Sequence, residues 1–353
     1  MRAMTAEKGS RYLFIDIVRG IAASAVFIQH SLEMSGLEVV GPGNFCLSWL
    51  NLGEVGVVAF FLVSGFVIPL SLERTGSIAT FWAHRAFRIY PLYLCVYFAT
   101  LATSIYWGAA ATHVPLNFLL HLFFVQEYVG IKDYVPGSWT LSLEACWYLG
   151  FTCLFLLSFH KRCIALVLAA AAASLVACAI ALGVARIPMG RVSLLVVCLL
   201  GLLAYRNEQG DIGKRVFILG SVTLAASVCA NLLVGFLLHP SSSLTAASFR
   251  CVLLSWLLGG SIFFVPFMFR KASLWNNRPL LYLGKISYSV YLVHPLVLAA
   301  LARTALRGLP FVGVAALLTL AVSSLTYSCV ERPAIRFSHR GRSRHVTVGA
   351  GRV

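Results

Sequence analysis

The sequence predicts an all-α polytopic membrane protein with about ten transmembrane helices and one short re-entrant or interfacial segment. Three observations lead there. Of the 353 residues, 59% are hydrophobic and only 11% carry a formal charge, against roughly a quarter in an ordinary soluble domain. Mean hydropathy is +0.86. Apolar runs of the length needed to cross the bilayer, ~20 residues, recur from one end of the chain to the other. This composition excludes a soluble globular enzyme and a disordered tail. The runs are continuously apolar, which excludes an outer-membrane barrel, whose strands alternate over ~10 residues.

The first run, 12–34, carries Asp16 and Arg19 within it and Glu33 near its end, and no A-x-A pattern follows it. It is too long for a signal-peptide core and is expected to stay in the mature protein. The second, 52–72, contains small residues, and Ser64 with Gly65 invites close helix approach. RAFRIYPLY, 85–93, reads as an arginine-bearing cytoplasmic turn, with Pro91 at the start of the third run, 89–107. A stretch at 116–126 contains His121 and is about half the spanning length, so it is expected to be re-entrant or interfacial on the exterior face. The fourth run, 139–159, opens at Trp139 and holds Glu144; 163–184, 191–205, 215–237 and 248–269 follow, separated by charged or Pro/Gly-rich breaks. The run 281–302 carries Ser287, Tyr288, Tyr291 and His294, and Pro295 should kink it by freeing a backbone carbonyl. The last, 309–330, leads into Glu331-Arg332-Pro333. The expected organisation is a single membrane-embedded domain over 1–340 and a basic cytoplasmic tail over 341–353.

A formal charge of +16 would suggest nucleic acid in a soluble protein. In a polytopic helical protein Lys and Arg collect in cytoplasmic loops instead. With the N-terminus inside, only Lys132, Arg186, Arg191, Arg250, Arg303 and Arg307 of the 28 cations fall in outer segments. Both termini are therefore expected to be cytoplasmic, in agreement with an even number of spans, and no nucleic-acid partner is expected. The ten Cys form no CxxC pair, and only Cys46 lies in a proposed exterior loop. They read as small buried hydrophobes, and no metal site is expected.

Ionisable groups inside a span are expensive to insert and mark functional sites. Asp16 and Arg19 are spaced i, i+3, so they can pair, either for function or to lock helix packing. Arg19 and His30, eleven positions apart, return to nearly the same helix face about 16.5 Å apart. Glu144, five residues into a run entering from the exterior face, should match His30 in depth. A carboxylate there could hold the imidazole in one tautomer, as in activation of a hydroxyl nucleophile. The spacing of Arg85 and Arg88 suits bidentate contacts with a phosphate-bearing ligand, although topology alone would also place arginines there. His294 reads as a group that satisfies the Pro295 break.

The ordered series DIVRGIAASAVFIQH (16–30), GEVGVVAFFLVSGF (53–66), RAFRIYPLY (85–93), WTLSLEACWY (139–148), LGKISYSVYLVH (283–294) and ERP (331–333) resembles the integral-membrane acyltransferase family 3. The resemblance implies ten membrane helices in the cell inner membrane and transfer of an acyl group, often acetyl, to a hydroxyl of a carbohydrate or other exported acceptor. Acetyl-CoA or another acyl-CoA would be the donor substrate, with no permanently bound cofactor, and the acceptor could be a lipid-linked glycan presented at the bilayer. Carried over by position, Arg19, His30 and Glu144 would be catalytic. His30 would be general base or transient acyl carrier, Glu144 its orienting partner, and Arg19 a stabiliser of the thioester oxyanion or of helix geometry. Arg85 and Arg88 would bind coenzyme A phosphates, with Asp16, Ser64, Tyr288, His294 and Glu331 in support. Two positions depart from the family pattern: Ala145 replaces a second acidic residue and Thr140 the usual serine. The competing class is a secondary transporter or flippase-like envelope protein that uses the same intramembrane charges.

Overall fold

A computed structural model of the protein describes residues 12–37, 49–108, 114–131, 133–183, 187–238 and 246–339. Cys46, Lys132, Arg186, Arg340 and the segment 341–353 lie outside the described residues, and with them part of the expected exterior loops and the expected tail. The described chain is helical, with ten helices long and apolar enough to cross a membrane. These are α1 (Leu13–Ser35), α2 (Leu52–Thr75), α3 (Ile78–Tyr106), α5 (Trp139–Leu156), α6 (Cys163–Gly183), α7 (Met189–Gln209), α8 (Lys214–Leu238), α9 (Ala246–Met268), α10 (Arg278–Leu301) and α11 (Gly308–Thr326). The short helix α4 (Val114–Leu122) has nine residues and cannot span.

Local sequence sets the helix ends. Asn51 caps α2 by accepting the Glu54 N–H at 3.0 Å, Ser77 caps α3 through Thr80 N–H at 3.3 Å, and Asn277 caps α10 through Leu280 N–H at 3.1 Å. Gly76 ends α2 in the left-handed region, with its N–H on Leu72 O. The Gly76–Ser77 link is the whole connection between α2 and α3, and this corrects the expected cytoplasmic turn. RAFRIYPLY lies inside one 29-residue helix, with Pro91 in its interior rather than at its start. Proline suits the first turn of a helix, which made Pro91 look like a beginning, but the Ser77 cap starts the helix earlier.

The centre of the bundle is α2, which packs on α1, α7 and α9. Backbones meet there because glycines leave room. A Cβ on Gly65 would lie 2.0 Å from Cys198 O, and one on Gly201 2.2 Å from Leu62 O. The closest pairing joins α1 to α10, where a Cβ on Gly284 would fall 1.9 Å from Asp16 O. Phe14, Phe66, Phe263 and Phe267 fill the core with edge-on and tilted contacts between α1, α2 and α9. Leu168 and Leu175 on α6, Leu219 on α8 and Leu317 on α11 point outward and are exposed, as a lipid-facing surface requires. At the end of the bundle nearest the N-terminus, Arg206 is fully buried between Glu73 and Asp211, tying α7 to α2.

The stretch expected at 116–126 forms α4 and a turn that fold against α3. Tyr90 donates to Leu122 O at 2.7 Å, and His121 packs against Tyr97 and Tyr134. The final span continues past Thr326 through a π-type turn, Tyr327–Glu331, to His339. Such turns widen a helix locally and occur often at functional sites.

Candidate active site

Two cavities lie end to end inside the bundle. The first, about 400 Å³, lies toward the N-terminal end of α1 and is lined by Arg19, Arg74, Arg85 and Arg88 along with Asp16 and Glu144. Guanidinium groups outnumber carboxylates on its wall. The second, about 700 Å³, lies toward the other end of α1 and is lined by His30, Asn51, Glu54, Glu127, Trp139 and Arg191. Val57 and Tyr291 line both.

The first cavity is assembled from α1, α2, α3, α5 and α10. Arg19 lies two turns into α1 and feels the charges of Arg88, Glu331, Asp16 and Glu144. Arg85 stands over the rings of Phe81 and Tyr148, with its guanidinium carbon 5.4 and 5.7 Å from their centroids. Its Nε is buried with no hydrogen-bond partner. An unmet buried donor is costly, so an acceptor on an anionic ligand would relieve it. Glu144 accepts from Ser64 Oγ at 3.0 Å and from the Tyr148 hydroxyl at 2.5 Å. Ser64 therefore braces Glu144, while its neighbour Gly65 carries the close helix approach. Glu331 is buried in the π-type turn, accepts from Ser289 Oγ at 3.0 Å and lies in the field of Arg88 and Arg19. Tyr288 donates to Ile89 O at 2.8 Å, joining α10 to the arginine-bearing turn of α3.

The expected partnership of Glu144 with His30 takes a different form. His30 Nδ1 lies 3.0 Å from His294 Nε2, with the rings stacked at 5.2 Å. His294 Nδ1 lies 2.9 Å from Val290 O. A carbonyl only accepts, so His294 Nδ1 carries a proton, and its Nε2 in the neutral ring is an acceptor. His30 must then donate from Nδ1, which leaves its Nε2 with a free lone pair. His294 thus bonds the carbonyl one turn before itself, whereas the carbonyl that Pro295 frees is that of Tyr291, and it also fixes the tautomer of His30. The expected depth match fails: Glu144 is braced by Ser64 at the middle of α2 and lines the first cavity, whereas His30 lines the second.

Sequence reasoning passed over Tyr148, Arg74 and the partitioning role of Tyr291. Tyr148 sits one turn from Glu144, a spacing that could have flagged it. The Tyr291 hydroxyl lies 2.9 Å from that of Thr140, and both reach Gly137 O, at 3.1 and 2.9 Å. Threonine at 140, one of the two departures from the family pattern, keeps the hydroxyl that holds Tyr291. Ala145, the other, leaves Glu144 without an adjacent carboxylate. Among the described residues no group of three or more His, Cys, Asp or Glu converges as a metal site.

Comparison with known proteins shows the family. A family model described as an acyltransferase domain matches residues 12–328. The chain is 31% identical to Acyltransferase MdmB of Streptomyces mycarofaciens over 38% of this chain and 36% of that protein. It is 25% identical to the Putative membrane-bound transacylase BcsY of Komagataeibacter xylinus over 92% of this chain and 83% of that one. It is 34% identical to an O-acetyl transferase of Shigella phage Sf6, over 22% of each. The first and third of these matches span about a third or less of the relatives they touch. No solved structure matches. With ten apolar spans built around this constellation, and with the family model covering nearly all of the chain, the protein belongs to the membrane acyltransferase family 3.

Proposed function

We propose that the protein transfers an acyl group, most simply acetyl, from acyl-CoA to a hydroxyl of an acceptor that approaches from the opposite side of the membrane. The acceptor class is a carbohydrate, such as a cell-surface polysaccharide or lipid-linked glycan, or another exported molecule. The observation that carries this reading is the pair of cavities that share Val57 and Tyr291 as wall residues, one lined by arginines and the other by a histidine with a free lone pair. The arginine excess in the first cavity and the orphan donor on Arg85 suit the phosphates of coenzyme A. Both termini face the cytoplasm of an inner membrane in this reading, so the donor arrives from the side where it is made.

The chemistry follows from the tautomers. The acceptor hydroxyl gives its proton to His30 Nε2 as its oxygen attacks the thioester carbonyl. The imidazolium that forms keeps its Nδ1–H on His294 Nε2, so the new charge has a partner. Arg19, about 16.5 Å along α1 from His30 on the wall of the donor cavity, holds the donor end of the site and the helix geometry. The carbon–sulfur bond then breaks, the thiolate takes the proton from His30, and the products are an ester and free coenzyme A. Glu144, held by Ser64 and Tyr148, balances the guanidinium charge of the donor cavity and does not act on His30 directly.

The test is transfer of label from radioactive acetyl-CoA to an envelope glycan extract by the purified protein. His30→Gln should lower the rate by ~10²- to 10⁴-fold with the protein still folded. Glycan translocation with no labelled product would instead assign the chain to the transporter class.

A further inference from the structure

The wall of the second cavity says what kind of acceptor it is built for. We infer that Glu54 and Glu127 form a hydroxyl-reading subsite for a neutral, polyhydroxylated ring, set between the indoles of Trp139 and Trp256, and that it discriminates against anionic sugars. The inference rests on the proposed transfer only for the identity of this cavity as the acceptor side.

Each carboxylate is half-committed. Trp256 Nε1 donates to Glu54 Oε2 at 3.0 Å, which anchors the group on the first turn of α2. Arg191 pairs with Glu127 Oε1, while Glu127 Oε2 is buried with no hydrogen-bond partner. Buried carboxylate oxygens are acceptors only, and one left unmet is costly unless a donor arrives. A sugar hydroxyl is such a donor, and a ring with several can meet both groups. Trp139 and Trp256 line the same space and are half-buried, offering apolar faces to the C–H side of a pyranose. Among the described residues the wall holds two carboxylates against the one guanidinium of Arg191, so a uronate or other acidic acceptor would meet like charge, an unfavourable pairing that works as negative selection. His30 lies on the same wall, next to the space that a bound ring would occupy.

Saturation-transfer NMR on the full-length protein in nanodiscs tests this with two probes that differ only at C6, propyl β-D-glucopyranoside and propyl β-D-glucuronide. The glucoside should bind with its ring hydroxyl face in contact. The glucuronide should bind at least about tenfold more weakly, the size of one charge-assisted hydrogen bond gained or lost. Glu54→Gln and Glu127→Gln should each weaken the glucoside and narrow the gap between the probes, while acetyl-CoA affinity measured on the same samples stays at the wild-type value. Equal or tighter binding of the glucuronide by the wild type would overturn the inference. So would the absence of glucoside binding, or glucoside binding that both variants leave unchanged. Glucoside binding that follows this pattern in a protein showing no acyl transfer would preserve the subsite and sink the enzymatic reading, so the two failures are distinguishable.

Discussion

His30 and His294 illustrate how two weakly informative residues become a directional pair once their second nitrogens are accounted for. The Val290 carbonyl fixes His294, and His294 fixes His30. His294→Gln should therefore lower kcat of the purified, folded fraction by about tenfold, the loss of one hydrogen bond to a charged ring, with the acyl-CoA KM unchanged. A purely packing role would reduce folded yield and leave kcat intact. At the donor end, Arg85→Ala and Arg88→Ala should raise the acyl-CoA KM by about tenfold or more each, with kcat less affected, because phosphate contacts are made equally in ground and transition states. Steady-state kinetics with varied acyl-CoA separates the two parameters. Arg19, His30 and Glu144 were legible in the sequence because charge inside an apolar run has no cheap explanation. Their partners were not, because hydrogen bonds across helices depend on azimuth, and Ser64, Tyr148 and His294 have ordinary structural uses on a helix.

The helices stay in register through glycine contacts and through loops that cap them. The Gly284 contact with Asp16 O sets the distance between α1 and α10, and with it the distance between His30 and His294. Gly284→Leu should force these helices apart, lowering thermal stability in detergent by ~1–3 kcal/mol or more and removing activity, whereas leucine at Gly150, which has open space around its Cβ position, should do neither. The link beyond α4 has a titrating latch. His121 is buried, with Nδ1 2.8 Å from Asn117 O and Nε2 accepting the Tyr134 N–H at 3.0 Å. Burial lowers its pKa below the usual histidine value, against the smaller opposing effects of the Asn117 hydrogen bond and the Asp133 charge. Protonation at Nε2 would break the Tyr134 bond. The stability of this region is thus fully present above the unfolded value of roughly 6.5 and is lost as pH falls through the lower folded value. Protection factors of the amides at 126–131 and 133–138, which correct for the slower intrinsic exchange in acid, should fall between pH 7.5 and pH 5 in the wild type and change less in His121→Gln.

At the scale of the whole molecule, the ten spans and their order were legible because hydropathy and length are properties of the chain alone. The expected run 12–34, for instance, differs from Leu13–Ser35 by a single residue at each end. Where the expectation failed, at 85–93, a serine cap outweighed a proline, a contest between local signals that hydropathy does not register. The arrangement of two cavities meeting at Tyr291 was not legible, since it depends on which faces of α1, α2 and α10 turn toward one another. That arrangement makes the central claim testable: donor and acceptor enter from opposite faces and react at His30. The most direct measurement uses proteoliposomes of known orientation, with radioactive acetyl-CoA supplied to one face and an envelope glycan extract to the other. The account predicts labelled glycan only when the donor is on the face carrying the N-terminus, and a ~10²- to 10⁴-fold loss in His30→Gln. Labelling that requires donor and acceptor on the same face, or that His30→Gln carries out at the wild-type rate, would contradict it.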